Sequence, residues 1–199
     1  VDESNFSSGS ANSSISASSI AALFDSPDYG SDGAGSVSYS LSATDGAATG
    51  LFLAGADTSV TANEIDLVKV SDTEFQGWTN GDTTNGTKAF TVSIQGTGSD
   101  AGKVTVTLNA ALEHSTDGST SSAWNDSLSL SSAAAFKVTQ TVTDKDGDTD
   151  SDTSTNALNI SFLDDGPDAA ADSAAATLSL NVDESNFSSG SANSSISAS

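Results

Sequence analysis

Apolar residues alternate with small polar ones in several short segments, a pattern typical of half-buried β-strands. The alternation is clearest in SVSYSLS (36–42), AFTVSIQ (89–95) and KVTVTLN (103–109). The other segments with strand character are GLFLA (50–54), EIDLVKV (64–70), AFKVTQTVT (135–143), ALNISFL (157–163) and TLSLNV (177–182). In EIDLVKV the apolar phase slips between Leu67 and Val68, which predicts a β-bulge there.

Turns rich in Gly, Asp, Asn, Ser and Thr separate these segments, and only SIAALF (19–24) is a candidate for one or two helical turns. Seven or eight short strands at this spacing predict an all-β fold. The expected architecture is an antiparallel immunoglobulin-like β-sandwich of Greek-key type.

The first eighteen residues return unchanged near the end of the chain. VDESNFSSGSANSSISAS occupies residues 1–18 and again residues 182–199, so the period is 181 residues. A fixed period of this kind indicates a tandem array, and a duplicated cloning scar is the alternative explanation.

The repeat also predicts where one module ends and the next begins. Residues 1–167 are predicted to be one sandwich module, and residues 168–199 the linker and start of the next repeat. TLSLN precedes VDES at 182, so the module at 1–167 is expected to lack its matching first strand. A vacant sheet edge and a spare strand in one chain predict strand exchange between molecules, head to tail.

The chain is strongly acidic, with 27 acidic residues against 5 basic ones and a net charge of −22. Nucleic acid is therefore an unfavourable partner, and no apolar run is long enough for direct membrane insertion. Asp supplies 22 of the acids and Glu 5. This bias favours turns and calcium loops over helical surfaces. Cysteine is absent, which excludes disulfides and thiol chemistry.

The densest acidic motif is DKDGDTDSD (144–152), and it is predicted to bind Ca²⁺. Calcium needs six to eight oxygen ligands, and glycine lets a loop fold around the ion. A soluble acidic hairpin is the alternative. The proposed ligands are Asp144, Asp146, Asp148, Asp150 and Asp152.

Two further acidic sets are candidates for calcium. Asp164 and Asp165, followed by Asp168, are expected at the tip opposite the 144–152 loop, where a head-to-tail junction would bring both together; a flexible acidic hinge is the alternative. Asp28 and Asp32 lie in FDSPDYGSDGAG (24–35), where turn chemistry alone is the other explanation.

Enzymatic chemistry has little support in the sequence. The single histidine, His114, has no Cys or identifiable Ser partner, so it is predicted to be a loop residue and not a member of a triad. Trp78 and Trp124 are expected to fill the core or the sandwich ends, with carbohydrate stacking as the alternative. No nucleotide-binding, GxSxG or HExxH motif is present. We therefore predict that the chain is not an enzyme.

With TVTDKDGDTDSD (141–152) and NISFLDDGP (159–167) in view, the sequence resembles the long repeats of giant RTX adhesins. DYGSDGAGSVSYSLS (28–42) and the segment 111–132 contribute to the resemblance. Such repeats are immunoglobulin-like extenders, exported by type I secretion in Gram-negative bacteria. The resemblance implies a calcium-stiffened spacer that projects an adhesive tip from the outer membrane.

The predicted function is accordingly a structural extender of a bacterial surface adhesin, with Ca²⁺ as its cofactor and neighbouring repeats of the same chain as its partners. The expected location is extracellular, on an outer-membrane-anchored protein. A glycan-binding adhesive module is the main alternative function, and a hydrolase is the second.

Overall fold

A computed structural model describes residues 1–6, 9–116, 120 and 125–166. These residues belong to one unit, Val1–Gly166. The predicted strand 177–182, the second repeat and Trp124 lie outside the described residues.

Within that part of the chain almost all regular structure is β. The strands are β1 (Ala11–Ile15), β2 (Ala34–Ser42), β3 (Ala48–Phe52), β4 (Glu64–Ser71), β5 (Glu74–Thr79), β6 (Lys88–Ile94), β7 (Val104–Leu108), β8 (Ser127–Ser129), β9 (Lys137–Asp144), β10 (Thr149–Thr153) and β11 (Ser161–Leu163).

Helical structure is limited to short pieces. One α-helix, α1 (Ala17–Ala21), begins after Ser16, whose side chain accepts a hydrogen bond from the Ser19 backbone N–H and caps the helix. Three 3₁₀ turns cover Glu3–Asn5, Thr61–Asn63 and Ser132–Ala134. No helix among the described residues is both long and apolar enough to cross a membrane.

The strands form three antiparallel sheets. The largest has six strands in the order β1-β7-β6-β5-β4-β3, so β3 to β7 make a continuous meander and β1 is added beyond β7. A three-stranded sheet has the order β10-β9-β2, and a two-stranded sheet pairs β11 with β8. Both edges of the three-stranded sheet, β10 and β2, come from distant parts of the sequence.

Two aromatic pairs join the layers across the core. Phe75 on β5 packs edge-on against Phe136, which precedes β9, with ring centroids 5.4 Å apart. Phe90 on β6 packs against Phe162 on β11, also at 5.4 Å. All four rings are fully buried, so both pairs contribute apolar burial between separate parts of the fold.

The predicted all-β, antiparallel, sandwich-like fold is confirmed. Where the alternation was clear, the buried residues are the predicted ones: Tyr39 and Leu41 on β2, Ile65 and Leu67 on β4. The bulge predicted for EIDLVKV (64–70) lies near the end of that segment: the β4–β5 register is regular from Ile65 to Lys69 and shifts between Lys69 and Ser71.

Candidate functional site

A tight turn at the end of β9 organises the densest acidic motif. The Asp144 carboxylate oxygen Oδ1 accepts hydrogen bonds from the backbone N–H groups of Gly147 (3.0 Å) and Asp148 (2.9 Å). Gly147 has φ +105, a backbone conformation that glycine adopts without strain. The side chain that opens the turn thus fixes the turn's own backbone.

A bulge in β2 brings a second acidic segment to the same turn. The β2–β9 register shifts between Ala34 and Ser36, so Gly35 is the extra residue. A Cβ atom on Gly35 would collide with the backbone carbonyl oxygens of β9 next to it. The Lys145 N–H donates to the Gly33 carbonyl (3.1 Å), which ties the turn to the loop before β2.

Three predicted ligands meet here as a result. Carboxylate oxygens of Asp32, Asp144 and Asp146 all lie within 4.8 Å of one another. We call these three residues the turn cluster. Asp32 and Asp146 are exposed and Asp144 is partly buried, so water and ions reach the group freely.

The electrostatics of the turn cluster show two carboxylates competing for one proton. A side-chain hydrogen bond with Asp146 lowers the pKa of Asp144, and the same interaction, with charge repulsion from Asp144, raises the pKa of Asp146. Two like charges this close disfavour each other's ionised form, and a bound proton or cation relieves the repulsion. A divalent cation can take the place of the proton.

Asp150 and Asp152 do not belong to the turn cluster, because they lie on strand β10. They pair with Val142 and Gln140 of β9 and share their face of the sheet. Together with Asp28 they line a cleft of about 460 Å³ between β10 and the loop after α1. The motif 144–152 is therefore divided between a turn and an edge strand, and was predicted as one loop.

The carboxylate of Asp164, after β11, approaches a different group. Its oxygen, one from Glu3 and a nitrogen of His114 all lie within 4.8 Å of one another. We call Glu3, His114 and Asp164 the histidine cluster. Asp165, next in the chain, is exposed and belongs to neither cluster.

Two side chains of the histidine cluster are buried, in contrast to the turn cluster. The side chains of His114 and Glu3 are only 4% and 6% exposed. Burial is the main cause that raises the pKa of Glu3, opposed by a hydrogen bond from the Leu112 N–H (3.0 Å). His114 lies outside the strands, as predicted for a loop residue, but nothing in the sequence indicated that its side chain is buried.

His114 lies between two carboxylates. Its Nε2 is 3.5 Å from Glu3 Oε1, and its Nδ1 is 3.1 Å from Asp126 Oδ1. Neither nitrogen has a partner at hydrogen-bonding geometry, and Asp126 Oδ1 is likewise buried without one.

Comparison with known proteins gives a family for most of the chain. The family described as "Domain of unknown function (DUF5801)" matches residues 1–161. This chain belongs to that family. No curated protein and no solved structure matches.

The matched part of this DUF5801 domain contains the whole turn cluster, and it ends before Asp164. It also contains Trp78, which is not one of the buried core residues. The Trp78 indole N–H donates to Gln76 Oε1 (2.8 Å) on the same strand. Trp78 is partly buried and lies outside the core, so of the two predicted places only a sandwich end remains a prediction.

Proposed function

We propose that this DUF5801 domain is an extender repeat of a giant RTX-type adhesin, stiffened by Ca²⁺ and secreted to the surface of a Gram-negative bacterium. The observation that carries the proposal is the turn cluster. Asp32 and Asp144 come from sequence segments more than a hundred residues apart, and their carboxylates converge on one small volume. The exact repeat of residues 1–18 at 182–199 supports the tandem arrangement.

The ligand chemistry of the turn cluster suits calcium. All its donor atoms are carboxylate oxygens, which a hard cation prefers, and backbone carbonyls and water can complete six to eight positions. A net charge of −22 opposes compaction, and bound cations reduce that repulsion. At millimolar calcium, each site with the affinity usual for extracellular modules adds about 0.5–1.5 kcal/mol of stability.

The other predicted ligands divide into two further loci in this proposal. Asp28, Asp150 and Asp152 line the cleft beside β10 and offer exposed oxygens there. Asp148 lies in the turn itself, and Asp165 at the end of the module remains a candidate for the junction with the next repeat.

The path of the first residues supports a head-to-tail arrangement. The Val1 nitrogen donates to the Ser161 carbonyl (2.7 Å), and the Leu163 N–H donates to the Val1 carbonyl (2.8 Å). Asp2 pairs with Leu163 in a parallel bridge. A segment leading into Val1 would therefore run alongside residues 159–161, away from the end at which Asp164 leaves.

A groove lies along that path. It has a volume of about 190 Å³ and is bounded by Val1, edge strand β1 and Ile160. Apolar side chains of Ile15, Val104 and Val106 form part of its wall. In the proposed array TLSLN fills this groove, because it precedes the second copy of VDES as a matching segment would precede Val1.

Calcium removal tests the proposal. In EDTA the melting temperature should fall by roughly 10 °C or more, since several sites each contribute to stability, and Mg²⁺ should not restore it. The readout is thermal unfolding by circular dichroism, with a calcium titration as the complement. An unchanged melt in chelator would remove the calcium proposal.

Truncation tests strand exchange separately. A chain ending at residue 176 keeps the groove but lacks TLSLN, so it should remain monomeric where the full chain associates at high concentration. Static light scattering in excess calcium is the measurement. A full chain that is monomeric at every concentration, or association unchanged by truncation, contradicts exchange between molecules.

A further inference from the structure

We infer that the histidine cluster is a binding site for a divalent transition metal, with Zn²⁺ the ion that best fits its donors. The site does not depend on the turn cluster or on the cleft beside β10, and it includes Asp164, which the sequence alone had suggested as a calcium ligand. Glu3 and Asp164 each supply an oxygen and His114 a nitrogen, all within 4.8 Å of one another. Imidazole nitrogen combined with carboxylate oxygen is a donor set that Zn²⁺ binds and that Ca²⁺ does not prefer.

The position of Asp126 is the second observation that points to a metal. In metal sites a histidine commonly presents one nitrogen to the ion while the other donates its hydrogen to a carboxylate, which fixes the tautomer. Here Asp126 Oδ1 is 3.1 Å from Nδ1, on the opposite side of the ring from Glu3. With the hydrogen on Nδ1, toward Asp126, the lone pair of Nε2 would lie on the side of Glu3, where the ion would bind.

Burial strengthens the case. The imidazole side chain is only 4% exposed, and its Nε2 has no hydrogen-bonding partner. A buried polar group without a partner is expensive, because it has lost its water and gained nothing in exchange. A metal ion bound to Nε2 removes that deficit.

Charge balance also favours a bound cation. Glu3, Asp126 and Asp164 surround one imidazole, and within the described part of the chain no Lys forms an ion pair with any of the three. Repulsion from Asp164 adds to the burial that disfavours the charged form of Glu3. A divalent ion compensates two of these charges directly.

The separation of two of the donors is compatible with Zn²⁺. Two ligand atoms at the usual Zn–N and Zn–O lengths in a tetrahedral site are roughly 3.3 Å apart. The distance from His114 Nε2 to Glu3 Oε1 is 3.5 Å. These two donors therefore need only a small adjustment on binding.

The position of the site gives it a structural role. Glu3 lies in the first turn of the module and Asp164 follows its last strand, so one ion would fasten segments about 160 residues apart. Val1 and Leu163 already pair beside it. The metal would lock the start and the end of the module together.

Nuclear magnetic resonance of the imidazole tests the inference without any mutation, because His114 is the only histidine. The untagged chain is saturated with Ca²⁺ at pH 7 and titrated with Zn²⁺. The imidazole ¹⁵N signals should shift at one equivalent, with Nε2 affected most. Signals that stay unchanged, including those of an imidazolium that keeps both protons, overturn the inference.

Variants identify the ligands by zinc calorimetry under the same conditions. His114→Gln and Glu3→Gln should each weaken binding by about a hundredfold or more, and Asp126→Asn by about 10–100-fold, as expected for a group that orients a ligand. Glu113→Gln is the matched control, because its carboxylate binds the Gly55 N–H instead and the affinity should stay the same. Equal affinities for all four proteins would assign the zinc elsewhere. The ligand variants can fail to fold, so their near-ultraviolet circular dichroism spectra in calcium are first compared with that of the wild type. If a variant is misfolded, the resonance titration of the wild-type chain decides the question.

Discussion

The turn cluster and the histidine cluster use carboxylates in opposite surroundings. In the turn cluster the side chains are exposed or partly buried, every donor is oxygen, and a turn and a bulge place them. In the histidine cluster Glu3 and His114 are almost fully buried, one donor is nitrogen, and the residues come from segments joined only by tertiary packing. Exposure allows a hydrated, exchangeable ion such as Ca²⁺, whereas burial demands full compensation of each polar group.

The two clusters also differ in how well their polar groups are hydrogen-bonded when no ion is bound. Asp144 already has two backbone N–H donors, so the turn can form without metal. His114 has no hydrogen-bonding partner at either nitrogen. We therefore expect the turn cluster to affect calcium affinity and the histidine cluster to affect the integrity of the module.

The largest expected effect comes from Gly35→Ala. The added methyl group collides with the carbonyl oxygens of Thr143 and Asp144, so the bulge must move and carry Asp32 away from its partners. The free energy of unfolding should fall by about 1–3 kcal/mol, as for other overpacked positions, and calcium should bind more weakly. Urea unfolding and calorimetry measure the two effects.

Ser36→Ala is the matched control for that substitution, since it changes the neighbouring exposed residue without adding bulk. If Gly35→Ala retains the wild-type calcium affinity, the bulge does not position a ligand.

A smaller effect is expected from Asp32→Asn combined with Asp146→Asn. The pair removes two charges from the turn cluster and keeps the size of both side chains, so calcium affinity at one site should fall by about tenfold. The fold should survive in excess calcium. Calorimetry gives the stoichiometry and affinity.

Asp57→Asn combined with Asp82→Asn serves as the comparison, because this pair also removes two charges and both carboxylates accept backbone hydrogen bonds in turns outside the two clusters. An equal loss of calcium affinity in the two proteins would mean that only the overall charge matters, and that the turn cluster is not a specific calcium site.

The smallest expected effect is a pH dependence from Glu3. Burial raises its pKa in the folded state, so its contribution to stability is fully present below the unfolded pKa of about 4.3 and is lost as pH rises through the folded pKa. In EDTA, wild-type stability relative to Glu3→Gln should therefore increase as the pH falls from neutral toward the unfolded pKa.

Urea unfolding at several pH values gives the difference in unfolding free energy between the wild type and Glu3→Gln. The same measurement on Glu113→Gln shows the effect of a Glu→Gln substitution outside the cluster. Carboxyls with lowered pKa values act in the opposite direction, so only the difference from Glu3→Gln isolates this residue. Curves that stay parallel over the whole range would mean that the Glu3 charge is already compensated without metal.

Strand prediction succeeded where one face of a strand is buried. Phe90, Val92 and Ile94 alternate with polar residues because β6 lies inside the six-stranded sheet and its inner face is covered. It failed for β10, whose sequence TDSDT has no apolar residue, because β10 is an edge strand and all five residues are exposed. Its Asp150 and Asp152 carry charge on the face shared with buried Gln140, which discourages pairing with other chains.

The sequence by itself determined which strands have a buried face, and it determined the local turn at Asp144. Both depend on interactions between near neighbours: side chains two residues apart share a face, and a short carboxylate reaches its own turn. The sequence did not predict that Asp32 approaches that turn, because the approach depends on the bulge in β2 opposite β9. The grouping of Glu3, His114, Asp126 and Asp164 was decided by tertiary structure alone, since the packing of four distant segments brings them together and no periodicity records it.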